Sequence, residues 1–137
     1  MGVRRITVHC VDIEDKPGSL QKFLAQSSLS GVDFLCFLAF SCGRNRGRVY
    51  VSAKDLKNFE AFTEEAGMNT TAACGFLIDG DDKIGAAAAA MKELAENGIN
   101  GVAGCAIVYD GRYQMLIIVD AANADRAGKV LGVQRKC

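Results

Sequence analysis

Two short stretches hold the residues best suited to chemistry. Asp12, Glu14 and Asp15 lead into Pro17-Gly18-Ser19-Leu20, and Asp79 and Asp82 lead into Gly85 in the same manner. In both, carboxylates precede a glycine that opens a helix-like run. Backbone amides at a helix start favour an anion, and glycine leaves room for close approach. Neighbouring carboxylates suit a cationic group such as an α-ammonium. The same residues also have a plainer use. Asp15 and Asp82 can cap a helix, and Pro17-Gly18 can start one.

Other chemistry finds little support. His9 adjoins Cys10, but successive strand residues face opposite ways. A Cys-His pair is therefore not expected, and His9 reads as an ordinary half-exposed residue. There is no serine elbow, GxxxxGK loop or GxGxxG fingerprint. Gly43-Arg44-Asn45-Arg46-Gly47 has glycines but no helix pattern after it. The six cysteines show no CxxC spacing. Cys10, Cys36, Cys74 and Cys105 lie in apolar stretches and read as small hydrophobes of a reduced, cytoplasmic chain. Cys42 and Cys137 are expected at the surface. No enzyme activity, cofactor or metal is expected.

Sixteen basic residues balance sixteen acidic ones among 137. This leaves no basic field for nucleic acid, while neutrality favours self-association. No apolar run reaches the ~18 residues of a membrane span. Met1 to Ile6 enters a strand at once rather than a leader.

An internal repeat organises the chain. Asp15-Lys16-Pro17-Gly18 returns as Asp82-Lys83-Ile84-Gly85, an offset of 67. The same offset maps Gly31-Val32-Asp33 onto Gly98-Ile99-Asn100, and Val49-Tyr50-Val51 onto Leu116-Ile117-Ile118. Such self-similarity marks one supersecondary unit present twice. The expected domains are residues 1–68 and 69–137.

In the first copy, Ile6 to Asp12 reads as a strand. Leu20, Phe23, Leu24 and Ser28 then stripe a helix that ends at Gly31. Val32 to Cys42 and Arg48 to Ser52 form a hairpin about the Gly43–Gly47 turn. Leu56, Phe59, Phe62, Thr63 and Ala66 stripe a second helix. The second copy repeats this order. Ala72 to Asp79 is a strand, and Ile84, Ala87, Met91, Leu94 and Ala95 stripe a helix. Ile99 to Tyr109 and Tyr113 to Val119 meet at Asp110-Gly111, a strong hairpin turn. A last helix runs from about Asn123 to Leu131.

The fold class is therefore α+β: two tandem ferredoxin-like β-α-β-β-α-β units, with antiparallel sheets and helices on one face. The final strand of each copy stays open. Thr70 to Cys74 would end the first copy while starting the second. Gly132-Val133-Gln134-Arg135 is the weak remainder for the second. Phe34 to Phe40 and Ile107 to Tyr109 are apolar on both faces, which asks for a further covering layer.

The Asp15-x-Pro17-Gly18-x-Leu20 loop, followed by Gly31-Val32, resembles the ACT domain, a ligand-binding module attached to many enzymes of amino acid metabolism. The second copy resembles it through Asp82, Gly85 and Gly98-Ile99, with Ile84 and Ala87 departing from the pattern. The resemblance implies a stand-alone, homodimeric regulatory protein that binds an amino acid or similar small metabolite, possessing no catalytic residue and acting on a metabolic enzyme in trans. It further implies one site from Asp12, Glu14, Asp15, Gly18, Ser19 and Leu20 with Asn100 and Val102 opposite. A second would use Asp79, Asp82 and Gly85 with Asp33 and Leu35 opposite. The first loop, fixed by Pro17, is expected to be the stronger site. Two alternatives remain: a ligand-free protein-interaction module, and an RNA-binding module. Arg46-Gly47-Arg48-Val49-Tyr50-Val51 faintly resembles the third-strand motif of RNA recognition modules, but Arg48 replaces a stacking aromatic.

Overall fold

The computed structural model of the chain describes residues 2–133. Its elements are β1 (Gly2–Glu14), α1 (Ser19–Leu29), β2 (Phe34–Gly43), β3 (Arg46–Ala53), α2 (Leu56–Glu65), β4 (Thr70–Asp81), α3 (Ala86–Glu96), β5 (Ala103–Tyr109), β6 (Arg112–Val119) and α4 (Ala124–Val130). A 3-10 turn, Ala121–Asn123, precedes α4. The chain folds into two compact units. One is Val8–Ala72. The other joins the residues up to Thr7 to those from Ala73 onward.

The open question of the final strands is answered by sharing. β1 and β4 are neighbours, and each is divided between the units. In the first unit the strand order is β2-β3-β1-β4, with Thr70–Ala72 of β4 as the last strand. In the second it is β1-β4-β6-β5, with the first residues of β1 in that role. Both are complete ferredoxin-like units. Gly132 and Val133 lie outside any strand. Gln134, Arg135 and Cys137 lie outside the described residues.

In the first unit, period-two alternation puts Val11, Val49 and Val51 on one face of the sheet. Phe23 of α1 and Phe59 and Phe62 of α2 cover that face. The rings of Phe23, Phe34, Phe59 and Phe62 pack with centroids 6.1–6.3 Å apart. The buried serine of α1 is Ser27, whose hydroxyl donates to the Phe23 carbonyl at 2.7 Å, rather than the exposed Ser28. α2 begins at Asp55, whose carboxylate accepts from the Asn58 amide at 3.2 Å. In the second unit, Ala90 and Leu94 of α3 and Ala124 and Ala127 of α4 pack on Phe76, Ile78, Met115 and Ile117. Ile84, expected in that stripe, is fully exposed.

The repeat offset is not constant. Asp12 pairs with Arg48, but its counterpart Asp79 pairs with Gln114, so the returning strand is offset by 66. The extra residue of the first copy is Cys42, where β2 slips register between Ser41 and Gly43. Both hairpins turn on two residues of positive φ, Arg44-Asn45 and Asp110-Gly111. The five-residue turn expected for the first hairpin is thus a tight one with strand residues either side.

Two buried polar side chains stand out. The Arg5 side chain is only 5% exposed. Its Nη2 meets Asp125 Oδ1 at 2.9 Å, its Nε donates to Cys74 Sγ at 3.1 Å, and its guanidinium lies 6.0 Å from the Phe76 ring centre. Cys74, expected as a reduced thiol, is disulfide-bonded. Cys10, Cys42 and Cys105 are free thiols. His9, expected half-exposed, is 7% exposed and lies 5.1 Å from the Phe59 ring. Its Nδ1 has no hydrogen-bond partner among the described residues, and its Nε2 is 4.0 Å from Glu60 Oε1. Burial lowers the His9 pKa, and Glu60 opposes that shift.

Two stability measurements follow. Arg5→Ala should cost about 2–3 kcal/mol, because it removes packing as well as charge, while Asp125→Asn at the exposed partner should cost ~1 kcal/mol or less. Urea unfolding of both variants tests the ranking, and equal costs would place the whole effect in the ion pair. His9 takes up a proton more readily when unfolded. Its contribution is therefore full above the ordinary histidine pKa of 6.5 and is lost as pH falls below it. Urea unfolding between pH 7.5 and 5 should show this fall, and His9→Phe should remove that component.

Candidate functional site

The β1–α1 loop is held by its own backbone. The Asp15 amide donates to the Asn45 carbonyl at 2.9 Å, and the Ser41 hydroxyl donates to the Asp15 carboxylate. Asp15 therefore braces the hairpin instead of capping the helix. The cap is Gly18, at φ 89°, with no side-chain capping bond. That conformation disfavours a side chain, so glycine is required for the backbone itself. The Ser19 amide, expected to face a ligand, donates to the Lys16 carbonyl at 3.1 Å. The next amides, of Leu20 and Gln21, are those left to the first turn. Pro17 lies ahead of the cap rather than in the helix.

The second loop repeats this without proline. Gly85 caps α3 at φ 87°, and the Asp82 amide donates to the Gly111 carbonyl at 2.9 Å. Two of its carboxylates share one cation. Arg112 reaches Asp79 Oδ2 at 2.7 Å and Asp81 Oδ1 at 3.0 Å, and these contacts hold its pKa above the usual value. The counterpart of Arg112 in the first hairpin is Arg46, which faces Glu14 in register.

A cavity of about 290 Å³ lies beside the first loop, lined by Asp12, Ile13, Glu14, Lys16, Ser19, Lys22, Phe23, Gln26 and Met68. Three of the expected residues, Asp12, Glu14 and Ser19, line it. Asp15, Gly18 and Leu20 build the loop around it. Asp12 leans toward Arg48 Nε at 3.4 Å, and Glu14 pairs with Lys16 at 2.7 Å, which lowers the Glu14 pKa and raises that of Lys16. Lys22 is in none of these pairs. The cavity thus offers carboxylates from β1 and an ammonium, a hydroxyl and a side-chain amide from α1. Lys22, Gln26 and Met68 were not singled out from sequence. Ser19, Lys22 and Gln26 recur at i, i+3 and i+7, a polar stripe on one helix face that marks them in retrospect.

Asp33 and Leu35 belong to the first unit, and Asn100 and Val102 to the second. Asp33 pairs with Lys54 at 2.7 Å. Burial raises the Cys10 thiol pKa, although Arg48 pulls the other way. Tyr50 is buried and stacks on Phe40 with centroids 6.0 Å apart, so it presents no open face for a base.

No protein-family model matches the chain, and no curated protein matches it in sequence. Solved structures do match. A protein of Bacteroides thetaiotaomicron aligns over 96% of this chain and 92% of its own, with a TM-score of 0.76 and 11% identity. The regulatory subunit of aspartate kinase from Thermus thermophilus, in its ligand-free form, aligns over 99% and 98%, with a TM-score of 0.63 and 17% identity. The fold is ACT-like. The corresponding subunit from Thermus flavus aligns over 96% and 95%, with a TM-score of 0.61 and 17% identity. What these ACT-like chains share with this one, at such identities, is the path of the backbone.

Gly18 meets no atom within 4 Å of an added Cβ, so Gly18→Ala isolates the cost of the left-handed backbone. It should destabilise by about 1–2 kcal/mol. Gly85→Ala should cost the same within error, since Gly85 has an equivalent conformation and equally open space. Urea unfolding of the two variants checks both values. A clear difference would mean the loops are not equivalent in solution.

Proposed function

We propose that this protein is a non-catalytic regulator that binds an amino acid, or a similar small zwitterionic metabolite, in the cavity beside the β1–α1 loop. The observation that carries the proposal is the composition of that cavity. Asp12 and Glu14 would receive the α-ammonium, while Lys22, the Ser19 hydroxyl and the Gln26 side-chain amide would receive the carboxylate. Its volume of about 290 Å³ suits a metabolite of this size. Regulatory subunits of aspartate kinase have the same fold, which supports a regulatory role for this chain toward a metabolic enzyme in trans. The second loop is the weaker site in this reading, because Arg112 already engages two of its carboxylates.

Thermal-shift measurements against the amino acids, followed by calorimetry, test the proposal. A ligand that binds only the native state raises the melting temperature by mass action. Lys22→Glu should weaken binding at least about tenfold, ~1.4 kcal/mol. It should leave the melting temperature of the free protein unchanged, since Lys22 is exposed. No shift with any amino acid at millimolar concentration, on a folded sample, would instead favour a ligand-free protein-interaction module.

A further inference from the structure

The cavity beside the β1–α1 loop has two kinds of wall. Its charged and amide residues stand at the surface: Asp12, Glu14, Lys16, Lys22 and Gln26 are all exposed. Its three apolar residues, Ile13, Phe23 and Met68, belong to or pack against the core cluster of the first unit. Phe23 is 2% exposed, and Ile13 and Met68 are half-buried. A ligand seated here meets polar groups at the rim and hydrocarbon beneath.

Each piece of that floor is held from behind. Phe23 packs against the rings of Phe34 and Phe62, with centroids 6.1 and 6.3 Å away. Ile13 lies over Gly47, where an added Cβ would stand 3.2 Å from Ile13 Cγ1. Met68 leaves α2 through a Schellman turn. Gly67 adopts φ 66°, its amide donates to the Glu64 carbonyl at 3.1 Å, and the Met68 amide donates to the Thr63 carbonyl at 2.9 Å. The residue in that position of the turn commonly lays its side chain on the helix it follows. Met68 does so, against the cluster that holds Phe59 and Phe62. The floor is therefore formed before any ligand arrives, which lowers the cost of binding.

The next step rests on the zwitterion reading of this cavity. In that reading Asp12, Glu14, Ser19, Lys22 and Gln26 receive the ammonium and the carboxylate, and Lys16 is held by Glu14 at 2.7 Å. What remains of the lining for the ligand's own side chain is Ile13, Phe23 and Met68. We infer that the ligand is an α-amino acid with an uncharged aliphatic side chain, and that Met68 sets this preference. A hydroxyl or amide placed against the floor would lose its water and find no partner there. A methyl group would instead exchange water for the Met68 thioether and the Phe23 ring. Met68 is the adjustable member, because its unbranched side chain enters from outside the β1–α1 pair and conforms to what lies beside it.

Isosteric pairs separate shape from polarity. Calorimetry on the full chain should compare norvaline with homoserine, and leucine with asparagine. The hydrocarbon member of each pair should bind at least about tenfold tighter. Norvaline should bind about fourfold tighter than α-aminobutyrate, the increment for one buried methylene. Met68→Gln keeps the length of the side chain and replaces the thioether by an amide. It should reduce the norvaline-to-homoserine ratio at least about fivefold, whereas Met68→Leu should preserve it. Each ratio is taken on one folded variant, so a change in stability does not move it. Equal binding within the isosteric pairs would overturn the inference, as would a ratio indifferent to Met68→Gln. In either case, binding still weakened by Lys22→Glu would leave the cavity reading standing. No binding of any amino acid would overturn both.

Discussion

The guanidinium of Arg5 is almost wholly buried, and a buried charge must be matched where it lies. Here it is matched by groups distant in sequence: Asp125, the Cys74 sulfur and the face of Phe76. These contacts lock the first residues of β1 into the second unit. Without that half-strand the unit would be three-stranded, with β4 bare along one side. The first unit depends in turn on the opening residues of β4. Each half of the chain thus owns three of its strands and borrows the fourth.

Sharing two strands sets limits on what the rest of the sequence can do. The helices are free to differ, and they do: α1 and α2 present phenylalanines to their sheet, whereas α3 and α4 present mainly alanines. The loops that open α1 and α3 are not free. Both carry a glycine in the left-handed region and both hang from a hairpin carbonyl by one amide. The backbone of the loop is common to the two units. Its side chains are where they diverge, with lysines on the first and an arginine-bridged acidic pair on the second. Chemistry that distinguishes the units must come from those side chains.

Much of this was legible in residue types and spacing. The repeated Asp-Lys-x-Gly segment located both loops, and helical and alternating periodicity located the elements, because local packing follows local pattern. What escaped notice was set by contacts between distant segments. Arg5 reads as an ordinary surface residue until Asp125 and Phe76 are beside it. His9 reads as half-exposed until Phe59 lies over it. Cys42 is invisible as an insertion because a bulge absorbs it, and the offset of 67 shifts only in the returning strand. Asp15 has the composition of a helix cap, and only the fold shows its carboxylate turned to Ser41. In the cavity, Asp12, Glu14 and Ser19 were signalled by the loop motif. Lys22, Gln26 and Met68 were not, because they line it from a helix face and from the approach to β4.

The shared strand has a consequence for how the chain is made. The β1 residues that complete the second unit are made well before the rest of it, since 120 positions separate Arg5 from Asp125. At translation rates of ~5–20 residues per second, that interval lasts about 6–24 s. Throughout it, the opening half of β1 carries Arg4 and Arg5 while the Asp125 carboxylate is still to be made. The second unit therefore has a high contact order built into its topology, and closing its largest loop comes last. A chaperone acting on this protein during synthesis would find its substrate in the opening half of β1.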